Sequence, residues 1–157
     1  MSTWLIKVNA TKYNILGAAR EFGDELPWHF DSDEQIKEGD RVFFYLTGSK
    51  ESDSKKQYSL IDQMFQRFLF EGVIKEIDCK NPEKDDKYWN DLKYKKQVEA
   101  KDLRYASITI TEVLYDYIIM SSSVDKRIWN GEFAQKDVYE LDSEMVQSIE
   151  KWIKTNK

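Results

Sequence analysis

Histidine and cysteine supply most of the nucleophiles, general bases and soft metal ligands of protein chemistry, and this chain has one of each, His29 and Cys79. That count rules out an intramolecular disulfide and a Cys/His zinc site. The six glycines stand apart, at 17, 23, 39, 48, 72 and 131, so neither a dinucleotide fingerprint nor a phosphate-cradling loop can be written. Catalysis or metal binding would have to come from the 29 acidic residues, and nothing in their spacing singles out a working pair. The expectation is a protein that is not an enzyme and has no metal site and no cofactor.

The aromatic residues carry more information. Trp28 follows Pro27 in a segment that reads as a connection, where a large ring has no periodic reason to be; it is either the wall of a binding cage or a core plug. Tyr88 and Trp89 lie among Lys84, Lys87 and Lys93, a mixture that suits a stacked base and its phosphates but also an apolar lid. Asn9 can meet a base edge or cap a helix. His29 reads as a packing residue whose backbone, beside Trp28, could meet the same edge. Arg127 and Trp129 suit either a pocket with phosphate contact or a structural ion pair, whereas Trp4 and Trp152 belong to the core.

The net charge of −5 argues against binding duplex nucleic acid mainly by neutralising phosphates. Residues 50–104 carry thirteen basic and twelve acidic groups, against five and eight before them and six and nine after, so any nucleic-acid contact must be local and central. No apolar run is long enough to cross a bilayer and the first residues lack a signal-peptide pattern, so a soluble, cytoplasmic protein without a membrane partner is expected.

These residues need elements to hold them. At 157 residues and 41% hydrophobic content the chain fits one domain, residues 1–157, with material for a core. Trp4, Ile6 and Val8 alternate as a strand over 4–8, and a helix near 11–22 follows, capped by Asn9 or Thr11 and stopped at Gly23. Asp31 to Glu34 read as the cap and first turn of a short helix ending near Lys37. The run RVFFYL at 41–46, between two glycines, predicts a central strand. A polar loop over 48–57 leads through an ambiguous segment to a strand at 69–77, which Gly72 interrupts for a bulge or a close approach. A second polar loop covers 78–91, Val98 opens an extended region, and 105–112 alternates as a strand. A short extended piece near Val138 precedes a helix over 143–154, capped by Asp142, with Met145, Val146, Ile149, Trp152 and Ile153 on one stripe. Strands and helices do not alternate regularly, which favours a small α+β curled sheet or barrel over a doubly wound fold.

The opening WLIKVN with its helix, the lone Trp in LPWHF, the acidic turn leading into IKEGDRVFFYLTG, the strand FEGVIKEI and the closing RIWNGEFAQKDVYELDSEMVQSIEKWI together resemble the EVE domain, a PUA-like family related to YTH domains. The order of these motifs carries the resemblance, over roughly two thirds of the chain. It implies a PUA-like curled mixed sheet or pseudo-barrel flanked by helices. It further implies a non-enzymatic nucleic-acid-binding module that holds a modified, flipped or single-stranded base in an aromatic pocket, and it moves Trp28 towards the cage. Where many EVE domains read Ser-Glu-Pro after the first strand, this chain has Val8, Asn9 and Ala10. Where they read Trp-Asp-Gly-Val-Arg-Asn, it runs from Trp28 and His29 to Asp33, so the groups meeting the base edge differ. The expected site has Trp28 as one wall, Trp89 or Tyr88 opposite, Asn9 at the floor, and His29, Arg127 and Trp129 nearby. Expected partners are a nucleic acid with such a base and a protein such as a nuclease. The alternative is a protein-interaction module of a phage or defence-related system, with a filled pocket and an apolar patch.

Overall fold

In the computed structural model, the residues described are 1–9, 12–23, 25–47, 67–79, 87–89, 91–114 and 136–156. The elements run in the order β1 (Thr3–Asn9), α1 (Ile15–Phe22), β2 (Leu26–Asp31), β3 (Arg41–Thr47), β4 (Arg67–Ile77), α2 (Leu92–Glu99), β5 (Leu103–Val113), β6 (Val138–Leu141) and α3 (Ser143–Asn156). The six strands form one mixed sheet in the order β2-β5-β4-β3-β1-β6. This is the expected α+β curled sheet with flanking helices.

The run at 41–46 is a strand for the reason its composition suggests: Val42 to Leu46 are all buried, so β3 is covered on both faces. It pairs in parallel with β1, Trp4 opposite Val42 and Val8 opposite Leu46, and antiparallel with β4. Alternation then sorts the side chains. Trp4, Ile6 and Val8 join Val42, Phe44 and Leu46 in one core cluster, while Leu5, Phe43 and Tyr45 join Met145, Ile149, Trp152 and Ile153 of α3 in a second. Trp4 and Trp152 are thus core residues, as their sequence positions predict.

Three irregularities in register curve the sheet: between Phe44 and Tyr45 against β4, and at Glu71/Gly72 and Ile74/Glu76 against β5. Gly72 has the role its position predicts. A Cβ there would stand 2.9 Å from Ile108 Cγ2 and 2.9 Å from the Thr109 carbonyl oxygen, so only glycine admits the close approach of β5. At the end of α1, Gly23 takes a positive φ of 56° and its N–H donates to the Ala19 carbonyl at 3.1 Å, closing the helix. The Asp142 carboxylate accepts from the Met145 N–H at 2.7 Å and opens α3.

Four expectations are corrected. Helix α1 begins at Ile15, and its cap is Asn14, whose side chain accepts from the Gly17 N–H at 3.1 Å; the Asn9 carbonyl instead accepts from Lys12 and Tyr13 in a turn. Residues 32–37 form no helix: the chain turns at Ser32 and Asp33 after β2, where the Ser32 N–H bonds to the Asp102 carbonyl, and the Lys37 N–H bonds to the nearby Asp40 carboxylate. Trp28 lies inside β2 rather than in a connection. Val98 does not open an extended region but is the one buried residue of α2, which Asp91 caps through the Tyr94 N–H at 3.0 Å and a Lys95–Glu99 ion pair at 2.8 Å supports along one face. The loop expected at 48–57, the segment before Arg67, and Arg127 and Trp129 lie outside the described residues.

Asp40 ties the start of the sheet together. Its buried carboxylate accepts from the Trp4 indole at 3.0 Å, the Ser2 N–H at 3.1 Å and the Lys37 N–H at 3.0 Å. Truncating it leaves three donors without their acceptor, each costing of order 1–3 kcal/mol where water cannot enter. Asp40→Ala is therefore expected to destabilise the protein by about 3 kcal/mol, read as a lower denaturant midpoint at unchanged slope. A shift below roughly 1 kcal/mol would show that the carboxylate is not the clamp.

Candidate functional site

Strands β2 and β6 sit at opposite ends of the sheet order, yet residues of both line one cleft, so the sheet curls until its two edges face each other. The cleft encloses about 250 Å³. Val8 and Asn9 reach it from the end of β1, and Thr47 from the end of β3, its hydroxyl donating to the Val8 carbonyl at 3.3 Å. Trp28 and His29 come from β2, Tyr94 from α2, and Asp137 and Val138 from the start of β6. Tyr13 and Trp89 are brought in by a short antiparallel bridge between them, beside the hydrogen bond from Asn14 N–H to the Tyr88 carbonyl at 2.7 Å.

The walls are aromatic. The His29 ring lies nearly parallel to Trp28, centroids 5.0 Å apart, and to Trp89, 6.1 Å apart. Tyr13 meets both tryptophans edge-on, at 5.3 Å from Trp28 and 5.0 Å from Trp89. Trp28 is only 7% exposed and packs edge-on against Phe44 in the core, so it is wall and core at once. Trp89 is half-buried and leans towards Tyr94.

Of the residues singled out in the sequence, Asn9, Trp28, His29 and Trp89 converge here, with Trp89 facing the same cleft as Trp28. Tyr88 does not. Its ring packs edge-on against Phe22 and near Gly17, and its hydroxyl bonds to Glu21, so it fastens the 87–89 segment to α1. Tyr13, Lys7, Lys12 and Asp137 were not singled out; Tyr94 belongs to the run Lys93-Tyr94-Lys95-Lys96, which reads in the sequence as a solvated face with phosphate contact second. A tyrosine inside the basic run at 93–96 was the one available signal, since an aromatic among lysines is the same mixture that marked Tyr88 and Trp89.

The polar rim is cationic in part. The Lys12 ammonium stands 4.0 Å above the Tyr94 ring. Burial pulls the Lys7 ammonium below its usual range and the nearby Asp137 opposes that shift. Tyr94 is pushed up to about 12, first by burial and then by the charge of Asp137, towards which its hydroxyl points at 3.5 Å. Burial, reinforced by the charge of Lys101, holds His29 down at about 4. The imidazole is therefore neutral at pH 7 and presents one donor and one acceptor.

A second cavity of about 240 Å³ adjoins the first, sharing His29, Tyr94, Asp137 and Val138, and continues past Val98 and Leu103 to Asp31, Glu34, Lys101 and Lys136. Asp31 and Glu34 group their carboxylates with that of Asp33, all within 4.8 Å of one another, and both aspartates are exposed. Among the described residues no helix is long and apolar enough to cross a membrane.

No protein-family model matches the sequence, and no curated protein matches it. Solved structures do share its fold. A hypothetical protein from Leishmania major aligns over 99% of this chain and 96% of its own at 12% identity and a TM-score of 0.51. The ASCH protein of Zymomonas mobilis aligns over 95% and 94% at 10% identity and 0.51. A protein from Rhodopseudomonas palustris aligns over 100% and 96% at 10% identity and 0.52. The fold is PUA-like, which ASCH and EVE domains share.

The histidine gives a sign-definite expectation. Its folded value of about 4 lies below the unfolded 6.5, so between these values the unfolded chain binds a proton that the folded one refuses. Stability should fall as pH drops from 6.5 to 4, by roughly 3 kcal/mol from this group alone. His29→Phe keeps a ring between the tryptophans and removes the proton, so the difference in stability between parent and variant should change across that window and stay constant above it. Parallel curves over the whole range would place the imidazole in water.

Proposed function

We propose that this protein is a non-enzymatic nucleic-acid-binding module that takes an extruded or single-stranded base into the cleft of Trp28, His29 and Trp89. The observation that carries this reading is the cleft itself: a continuous stack of flat rings, Trp28, the neutral His29 imidazole and Trp89, with Asn9 and Thr47 at the strand ends to meet a base edge. Stacking contributes about 1–3 kcal/mol per base and needs no strongly positive protein, which fits a chain of net charge −5. Lys7 and Lys12 on the rim are positioned for the backbone phosphate next to the base. The EVE-like order of motifs supports the same reading and favours a modified base. A cytoplasmic setting and a nuclease partner accompany it as further parts of the proposal.

The alternative, a protein-interaction module, draws on one observation: an open apolar depression between α1 and the sheet, lined by Leu16, Ala19, Phe70, Ile110 and Val113, with Val113 43% exposed.

Trp89 is the decisive residue, because Trp28 is shared with the core. Trp89→Ala should weaken binding of a single-stranded oligonucleotide by about 1–3 kcal/mol and leave most of the stability intact. Trp28→Ala should weaken binding and also cost about 3–5 kcal/mol of folding stability. Titration calorimetry and thermal melts on both variants separate the effects. Unchanged affinity in Trp89→Ala, or no binding of any single strand by the parent, would overturn base recognition and leave the interaction module.

A further inference from the structure

The second cavity, of about 240 Å³, adjoins the base cleft and shares His29, Tyr94, Asp137 and Val138 with it. Its lining has three parts. Val98, Leu103 and Val138 form an apolar flank. Lys101, whose charge is felt by His29, stands near the junction with the base cleft. Asp31 and Glu34 face Lys136 across the outer part, where the charge of Lys136 opposes the upward push that burial and the neighbouring carboxylates exert on Glu34.

Among the described residues, none of these four charged side chains is closed into an ion pair within 4.0 Å, although other pairs on the surface are. Charges of both signs thus line one cavity without neutralising each other by contact. A phosphate entering it would meet Asp31 and Glu34, and a plain ammonium would meet Lys101 and Lys136; like charges brought together oppose binding in either case. A neutral alkyl group would strip water from all four with nothing returned. A group carrying one ammonium and one carboxylate on a short aliphatic stem satisfies every part of the lining.

Resting on the base-binding reading, we propose that the ligand is a nucleotide whose base bears a zwitterionic, amino-acid-like substituent, the base lying in the aromatic cleft and the substituent in the adjoining cavity. The carboxylate is met by Lys101 and Lys136 and the ammonium by Asp31 and Glu34. Val98, Leu103 and Val138 cover the methylene stem. His29, lining both cavities, reads the point where the stem leaves the ring.

Calorimetric titration of the full chain tests this with matched nucleosides. One series has a 3-amino-3-carboxypropyl group on uracil and another has lysine attached to cytosine, each beside its amine-only and carboxylate-only analogues and the unmodified nucleoside. Free 2-aminobutyrate is a further arm. The expected result is that a zwitterionic nucleoside binds about tenfold or more tightly than its unmodified parent and than both single-charge analogues, with free amino acid binding far more weakly. Glu34→Gln and Lys101→Gln, both outside the aromatic cleft, should each remove most of that advantage while leaving the parent nucleoside's affinity unchanged. If unmodified nucleosides bind and lose affinity in Trp89→Ala, yet neither zwitterion gains over its analogues, this inference fails and base recognition stands. If a free amino acid binds as well as the nucleosides, the link between the cavities fails. If no nucleoside binds at all, both readings fall together.

Discussion

The parallel pairing of β1 with β3 is the constraint on which the architecture turns. Two neighbouring parallel strands cannot be joined by a tight turn; the chain must leave the sheet, cross over and return to the same end. Here the crossover contains α1 and β2, and β2 is deposited at the far edge, beside β5. The pair is buried on both faces, so its alternate side chains feed two cores at once: the larger one under α1 and β2, the other under α3. Asp40 fixes where the return strand begins, binding the Trp4 indole of β1 immediately before Arg41 opens β3. Arg41 in turn bonds to Glu71 of β4 and, at 2.9 Å, to Glu150 of α3, so the same end of the sheet is fastened to its helix.

The cleft follows from that topology. A six-stranded sheet with bulges on β4 curls, and its edges β2 and β6 come to face each other without completing a barrel. The gap at this seam is filled from loops and helix ends: Tyr13 ahead of α1, Trp89 ahead of α2, and Tyr94 in its first turn. Because the seam is continuous with the larger core, its inner wall cannot be separated from the fold. Trp28 is the plainest case, stacking with His29 in the cleft while its edge contact with Phe44 belongs to the core. The cleft and the core thereby share a residue, and only the outer wall is free to vary without disturbing the packing.

Electrostatics separates this site from a general polyanion surface. The chain is acidic overall, but Lys7 and Lys12 stand at the aromatic cleft, and the second cavity sets Lys101 and Lys136 against Asp31 and Glu34. A duplex backbone would find no continuous positive track here. A single base, held by its faces and edge, would need none. The neutral state of His29 fits the same logic, since burial between two tryptophans would strip a charged imidazole of its hydration and the charge of Lys101 adds to that cost.

The elements whose side chains obey one period against one core were legible from the residues. The alternation of Trp4, Ile6 and Val8, the unbroken run at 42–46, the glycine inside β4 and the stripe of α3 each record a face pressed against a single neighbour, and burial writes that face into the sequence. Helix α2 and strand β2 were not legible, for opposite reasons. Helix α2 buries only Val98, so it has no stripe to show and is held by its Asp91 cap and a surface ion pair. Strand β2 is apolar and aromatic on both sides because it packs on the core and lines the cleft, so no alternation marks it as a strand. The sequence could nominate Asn9, Trp28, His29 and Trp89, since Trp28 and its neighbour break the periodic pattern, Trp89 stands among lysines and Asn9 ends a strand. That they share a cleft while Tyr88 turns to α1 was decided by the tertiary structure. Convergence depends on the curl that brings the two sheet edges together, a sum of small twists and bulges over six strands that no local pattern encodes.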